Sequence, residues 1–384
     1  MHTKRMRLVA AALAVLAGTL AATAAAKTKE PPPSPLKPIL AQLNGLSFQA
    51  REQKLFDIAK SQEGGSVVLY TSLDLPISTK VVAAFEAAYP GIKVSLYRAT
   101  SETVDARVLS EESAGTSGAD VIETNGPDMF FFQHANDILV PYRGSPVSSE
   151  YPAKFRYDTW TADRVNNFVI AWNTNLVPAG QEPKSLFELA EPKWKGKISM
   201  EASDVDWFGV VYDYYEQQQL AKLKHFKDAK KQTAQKARVD ANLDTVFKRL
   251  AQNAQIVSGH ITQANLLAAG NFAVCVSNYA HTLEALQAKN APIAFKPFVG
   301  PVFVRPQGLG IVYRLKHPAG ALLFYDWVLS KDGGQKAYLD NGATPAHPDL
   351  PDPQMAGANR IPIDLRTVVS HWGEWSKRYD QVIH

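Results

Sequence analysis

The sequence predicts an α/β protein built from strand, loop and helix units, with its sheets buried on both faces. An apolar run, Val67-Val68-Leu69-Tyr70, opens into the polar Thr71-Ser72-Leu73-Asp74 and Pro76, and a helical stripe of Val81, Val82, Phe85 and Tyr89 follows. A second strand pattern over 93–99 comes directly after the Pro90-Gly91 turn, the first half of a βαβ unit. The chain of 384 residues accommodates about two domains at ~100–200 residues each.

In open α/β sheets, ligands sit beyond the carboxyl ends of the strands, where helix N-termini present unpaired N–H groups. Thr71, Ser72 and Asp74 follow the first strand, Ser101 follows the second as a suitable helix N-cap, and Asn125 ends a third over 119–125. Three consecutive strand ends thus carry small hydrogen-bonding side chains. That pattern suits a binding crevice better than a catalytic centre, which pairs a base with a nucleophile.

The start of the chain reads as an export signal. Lys4, Arg5 and Arg7 precede an apolar run from Leu8 to Leu20, and Ala24-Ala25-Ala26 offers a cleavage site, so residues 1–26 are expected to be removed and the mature protein to be periplasmic. Loss of those three basic residues lowers the net charge from +4 to +1, which gives no electrostatic case for nucleic acid. A single cysteine, Cys275, forms no internal disulfide and lies in an apolar run, so a buried thiol is expected.

Residues 27–47, rich in proline, are expected to form a tether, with a helix over 48–61 behind it. The strand-like segment ending in Trp172-Asn173-Thr174-Asn175 leads into a new composition, which places the domain crossing near Asn173. Ser185 and Glu188 have capping-box spacing. The lysine-rich stretch 217–238 reads as one solvated surface helix with a thin stripe of Leu220, Leu223 and Phe226. Further strands are expected near 255–258, 271–276, 302–305 and 310–314, and a terminal amphipathic helix over 372–383.

The nine histidines show no metal-ligand spacing on an expected helix, and GxSxG, GxxxxGK[ST] and GxGxxG are absent, which argues against hydrolase, nucleotide and dinucleotide functions. Glu201, Asp204 and Asp206 cluster after a strand over 197–200, where a solvated loop explains them as well as a site does.

Several runs, in order, resemble one family. They are Val67-Val68-Leu69-Tyr70-Thr71-Ser72-Leu73, Phe85-Glu86-Ala87-Ala88-Tyr89-Pro90-Gly91-Ile92-Lys93-Val94, Ala119-Asp120-Val121, Asn173-Thr174-Asn175-Leu176-Val177, Pro183-Lys184-Ser185, Pro192-Lys193-Trp194-Lys195-Gly196-Lys197-Ile198 and Asn341-Gly342-Ala343-Thr344-Pro345. They look like the extracellular solute-binding proteins of ABC transporters, family 1 type, in the branch that binds ferric iron, phosphonates and sugar phosphates. The resemblance implies a type II periplasmic-binding-protein fold: two lobes, each a mixed sheet flanked by helices, closing on ligand about a hinge. With the crossing near Asn173, lobe 1 is expected to comprise 48–172 and 300–384, and lobe 2 to comprise 173–299. It further implies a monomer that carries a small solute to a membrane ABC permease, with no cofactor and no catalysis, although a sensor or an enzyme on the same scaffold remains an alternative.

Ferric members of that family use adjacent tyrosines where this chain reads Tyr279-Ala280; their histidine aligns with Asp74 and their glutamate with Asn125. Iron would then rest on Tyr279 and Asp74 with help from His281, another acid or a bound anion. For an anionic organic solute, the resemblance implies Ser72, Ser101 and Asn125 at the anionic end, Arg164 as a bidentate clamp, and Asn278 and Tyr279 closing from the second lobe. Thr71, Asn173 and Asp204 complete the candidate set, and Trp160, Trp172 and Trp207 are candidates for stacking on a sugar.

Overall fold

The computed structural model describes residues 33–134, 138–223 and 228–383, so the expected signal segment and the first part of the expected tether lie outside them. The elements run α1 (Lys37–Leu43), α2 (Phe48–Gln62), β1 (Ser66–Thr71), α3 (Leu75–Ala88), β2 (Lys93–Arg98), α4 (Ser101–Ser113), β3 (Val121–Asn125), α5 (Gly126–His134) and β4 (Trp160–Asn173). They continue with β5 (Ile198–Glu201), α6 (Val205–Ala221), α7 (Ala229–Asn253), β6 (Ala254–Val257), α8 (His260–Ala268), β7 (Val274–Tyr279), α9 (Ala280–Gln287), β8 (Ile293–Ala294) and β9 (Val302–Ile311). The chain ends through α10 (Pro318–Leu329), α11 (Lys336–Asp340), β10 (Thr344–Pro345), β11 (Arg360–Pro362) and α12 (Leu365–Val382).

The sheet order is β2-β1-β3-β9-β4-β7-β5-β6. β2, β1 and β3 are parallel, as are β6, β5 and β7, so each set has its second strand at one edge and its first in the middle. β9 runs antiparallel to β3, β4 antiparallel to β7, and the two antiparallel to each other. Two α/β lobes of the same strand order therefore meet along β4 and β9. In each lobe the parallel strands run straight into helices: β1 to α3, β2 to α4, β3 to α5, β5 to α6, β6 to α8 and β7 to α9.

β9 is one strand where the sequence suggested two. β3 pairs with it over 307–311 and β11 over 302–304, which leaves an unpaired flank at Pro306. The Pro306 carbonyl points to that flank, close to Gly126 at the end of β3, so the missing N–H deprives no neighbouring strand of a ladder bond.

Three other expectations change. The segment read as tether contains α1, because Pro38 fits a first helical turn and Leu36, Ile39 and Leu43 bury in the core. The lysine-rich stretch is the end of α6 and the start of α7 rather than one helix, and Asp228 caps α7 by accepting from the Lys231 N–H at 2.9 Å. The buried stripe of α7 begins at Val239 and continues through Leu243, Phe247 and Leu250, which leaves 229–238 to water. The Ser185 and Glu188 pair does exchange capping contacts, the Glu188 N–H to Ser185 Oγ at 3.2 Å and the Lys184 N–H to Glu188 Oε2 at 2.8 Å, but it closes a short 3-10 turn. Among the described residues no helix is long and apolar enough to cross a membrane.

α12 starts at Leu365, earlier than its sequence suggested, and packs on α6 with Trp375 and Tyr379 buried. The Tyr379 hydroxyl donates to the Glu201 carbonyl at 3.0 Å and so ties the carboxyl end of β5 to the C-terminal helix. Gly209 of α6 makes the close approach possible, since a Cβ there would lie 2.0 Å from the Trp375 ring. Gly209→Ala is expected to cost about 1–3 kcal/mol through overpacking, seen in urea titration as a lower midpoint with unchanged slope.

Candidate functional site

The two sets of strand ends face each other across β4 and β9. Asp128 of α5 feels the charges of Arg305 and Asp206, and His281 of α9 feels that of Asp74. In the first lobe, several expected site residues turn out to be tied up by the fold. The Thr71 hydroxyl donates to Glu123 Oε2 at 2.7 Å and accepts from the Leu73 N–H at 2.9 Å, and the Ser72 N–H donates to the Glu123 carbonyl. Glu123 is buried and also accepts from Arg164 Nε at 2.8 Å. Arg164 is 4% exposed, so the expected clamp is an internal ion pair of β3 and β4 rather than a free cation.

Asp163 lies against the same cluster, with the Tyr338 hydroxyl donating to its Oδ2 at 2.9 Å. Burial and the Glu123 charge raise the Asp163 pKa well above the usual range, while Arg164, desolvated but flanked by Glu123 and Asp163, holds its proton more tightly than usual. Nearer the loop tips, Ser101 Oγ accepts from Asn125 Nδ2 at 2.8 Å, which joins the ends of two parallel strands. The N-cap of α4 is Thr100 and makes no side-chain cap, so Ser101 does not cap as expected. Asp74 pairs with Arg98 at 3.6 Å.

In the second lobe, Tyr279 is the centre of a stacked group. Its ring lies 3.9 Å from that of His260 at an interplanar angle of 9°, and the His281 ring lies 5.6 Å from it at 12°. Arg305 of β9 donates to the Tyr279 hydroxyl and, through Nη1, to Asp206 Oδ1 and Oδ2 at 3.2 and 3.1 Å. Asn278 is fully buried, its Nδ2 donating to the His260 carbonyl and to Gln263 Oε1, so it positions the β6–α8 loop instead of reaching into the cleft. Asn173 is remote: it ends β4 five residues beyond Phe168, the partner of Tyr279, and its side chain binds the carbonyls of Leu267 and Ala268. Trp160, Trp172 and Trp207 are core residues.

His260, Arg305, Asp105 and Asp128 were not singled out by sequence reasoning, and Asp206 was noted only within an acidic cluster that a solvated loop explained as well. His260 and Asp206 obey the strand-end rule that identified Thr71, and Arg305 could have been flagged as a cation inside an apolar run, Val302-Phe303-Val304. The Asp105–Asp128 pair needed the tertiary structure.

Burial sets the protonation of this lining. It pushes the Asp128 carboxyl up to about 7 against the pull of Arg305, and together with the Asp128 charge it raises Asp105 well above the aspartate range. It lowers His281 to about 4 despite Asp74, so that imidazole is neutral near pH 7. Burial would raise Asp204 too, but His260 and Arg305 hold it below the usual range. Burial also raises the Tyr279 hydroxyl beyond the ordinary tyrosine range, with Arg305 opposing, and the buried Cys275 thiol to about 12, which leaves it inert.

Five of the six helices that begin at these strand ends have N-caps without a side-chain cap: Asp74 before α3, Thr100 before α4, Asp204 before α6, Gly259 before α8 and Tyr279 before α9. Away from the cleft, Ser47, Asp228 and Asp364 do cap α2, α7 and α12. The lining therefore offers helix N-termini without side-chain caps, with their positive dipole ends, together with paired charges.

Two outcomes follow. Arg164→Ala is expected to cost about 3–5 kcal/mol in denaturant unfolding, because it strands Glu123 as a buried unpaired charge. Asp128 has a raised pKa in the fold, so its contribution to stability is fully present below the ordinary aspartate range and is lost as the pH rises through about 7. Asp128→Asn should therefore melt above the wild type at pH 8, with the difference shrinking towards pH 4, as read by calorimetry.

Residues 80–360 match the family described as bacterial extracellular solute-binding protein. The chain is 29% identical over 258 residues to the Fe(3+)-binding periplasmic protein of Serratia marcescens, covering 65% of this chain and 70% of that one. AfuA from Actinobacillus pleuropneumoniae, solved with exogenous fructose-6-phosphate, superposes with a TM-score of 0.64 at 20% identity, over 83% of this chain and 98% of AfuA. Iron-bound HitA from Pseudomonas aeruginosa does so at 0.63 and 16% identity, over 82% of this chain and 99% of HitA. With the strand order of both lobes and the extent of the family match, the chain belongs to the bacterial extracellular solute-binding proteins, which serve ABC importers.

Proposed function

We propose that the protein captures a small anionic organic solute, of the phosphonate or sugar-phosphate class, in the cleft between its lobes and carries it through the periplasm to a membrane ABC permease. The observation behind this reading is the set of uncapped helix N-termini converging on the cleft, where N–H groups are available to an anion. Arg305 adds a cation between the lobes, and the raised pKa values of Asp105 and Asp128 reduce the negative charge those acids set against an anion. Ser72, Ser101, Asn125 and Tyr279 supply hydrogen-bonding edges around it. Thr71, Asn173, Asn278 and Arg164 support from behind. AfuA, bound to fructose-6-phosphate, shares this fold.

The proposed hinge lies on β4 and β9, a reading supported by the strand pairs in which Asn166 faces Arg305 and Phe168 faces both Phe303 and Tyr279. That puts the crossing about five residues before Asn173. The lobes then comprise the expected segments, 48–172 with 300–384 and 173–299, with both boundaries moved a few residues along these strands. The protein acts by binding and release without turnover, as an exported monomer cleaved after Ala26.

Ferric ion is the second reading, favoured by the name of the Serratia marcescens relative and by a tyrosine among acids in the cleft. Against it, Tyr279 stands beside Ala280 and its hydroxyl is held by Arg305 as a neutral phenol. Isothermal calorimetry against fructose 6-phosphate, methylphosphonate, citrate and ferric citrate separates the two. Saturable binding of a phosphorylated or phosphonate solute, weakened about 10- to 100-fold by Arg305→Ala, is the expected outcome. Failure of all iron-free anions, with a ferric tyrosinate colour that disappears in Tyr279→Phe, would establish iron instead.

A further inference from the structure

We infer that Glu201, Asp204 and His260 form a binding site for a divalent transition-metal ion in the second-lobe wall of the cleft, separate from any phenolate iron chemistry at Tyr279. One ligand atom from each residue lies within 4.8 Å of the others, and both carboxylates are buried. Acids and an imidazole drawn together by chance are usually solvated. Here Asp204 is 2% exposed, yet its Oδ2 has no hydrogen-bond partner, and neither has His260 Nε2. A buried carboxylate oxygen without a donor, beside an imidazole nitrogen that meets only the other oxygen of the same carboxylate, is costly unless something binds there.

The spacing indicates what that is. His260 Nε2 lies 3.3 Å from Asp204 Oδ1 without forming a hydrogen bond. Metal–ligand bonds of ~2.0–2.1 Å in tetrahedral array place neighbouring ligand atoms about 3.3 Å apart. One nitrogen with two carboxylates suits a divalent ion of borderline softness such as zinc or cobalt, whereas a trivalent ion calls for more anionic oxygen.

The surroundings hold the ligands in place. Glu201 Oε2 accepts from the Ser203 N–H and hydroxyl at 2.6 and 2.8 Å, and Oε1 accepts from the Gly259 N–H at 3.0 Å. Glu201 therefore ties the loop that carries Asp204 to the loop that carries His260, and keeps lone pairs for an ion. The Tyr279 ring, stacked on the imidazole, fixes its plane. Three protein ligands leave a fourth position open to water or to a solute atom.

This inference does not rest on the anionic-solute reading, because the metal is titrated alone. Tag-free protein, stripped with a chelator, is titrated with zinc chloride by calorimetry and with cobalt chloride by visible absorption, with no organic anion present. The expected result is one equivalent of zinc and the intense visible bands of four-coordinate cobalt(II). His260→Gln and Asp204→Asn should each weaken zinc at least tenfold, and Tyr279→Phe should keep the site. The inference is overturned if the wild type takes up no stoichiometric zinc or cobalt, if binding survives both His260→Gln and Asp204→Asn, or if only ferric salt binds, with a colour lost in Tyr279→Phe. The wild-type cobalt spectrum decides the matter even if a variant fails to fold.

Discussion

β4 and β9 run antiparallel from Trp160 opposite Gly310 to Phe168 opposite Phe303, and every residue of both is buried. Strands buried on both faces would ordinarily be apolar throughout, yet these carry Asp163, Arg164, Asn166, Asn167, Arg305 and Gln307. Each polar group must then find its partners within reach of its own position along the ladder. Arg164, opposite Gln307, reaches Glu123 in the first lobe, and Arg305, opposite Asn166, reaches Asp206 and Tyr279 in the second. The register of one strand pair thus assigns one cation to each lobe.

Those two arginines differ in what surrounds them, and that difference divides support from recognition. Arg164 sits among Glu123, Asp163 and Tyr338, groups of the first lobe and of the C-terminal segment that packs on it. Its ion pair holds β3 to β4 from within. Arg305 bonds to residues at the starts of α6 and α9 while Asp128 of the opposite lobe lies within its field. A cation so placed is bonded on one side of the cleft and felt on the other, so the hinge motion proposed above would change its environment. Desolvated ion pairs contribute little net stability but hold geometry, which suits a group that must be positioned before a solute arrives.

How much of this was legible follows from the range over which each signal acts. The strand, loop and helix units were readable because apolar runs, Pro76, Pro90-Gly91 and helical stripes are local patterns. The same locality revealed Ser72, Asp74, Ser101, Asn125 and Tyr279 at strand ends, but not which of their side chains the fold occupies. Thr71 and Arg164 are occupied because Glu123 is buried between them, a fact of pairing between strands far apart in sequence. Asn173 was assigned to the crossing because composition changes there, a local signal, whereas the pairing of β7 and β9 along the fourteen residues of β4 is not local. The tether and the lysine-rich stretch were misread for a related reason: composition reports solvation, and the burial of Leu36 and Ile39 or the end of α6 at Ala221 is decided by packing.

The anionic solute proposed above must meet a cleft rich in carboxyl groups, and that reading depends on how each is neutralised. Asp74 is beside Arg98 and Asp206 beside Arg305, whose charge also reaches Asp204. Burial raises Asp105 well above the aspartate range and Asp128 to about 7, which reduces their charge, and keeps His281 uncharged near neutrality. Once these charges are matched or suppressed, the unbalanced field is that of the helix N-termini, which is positive, short in range and strongest at the tips of the strands. The acids are then free to act as hydrogen-bond donors and acceptors towards hydroxyl groups. A surface of that kind discriminates by the placement of polar atoms more than by net charge, and opening the lobes would hydrate Asp128, favour its ionisation and weaken the hold on an anion in the same motion.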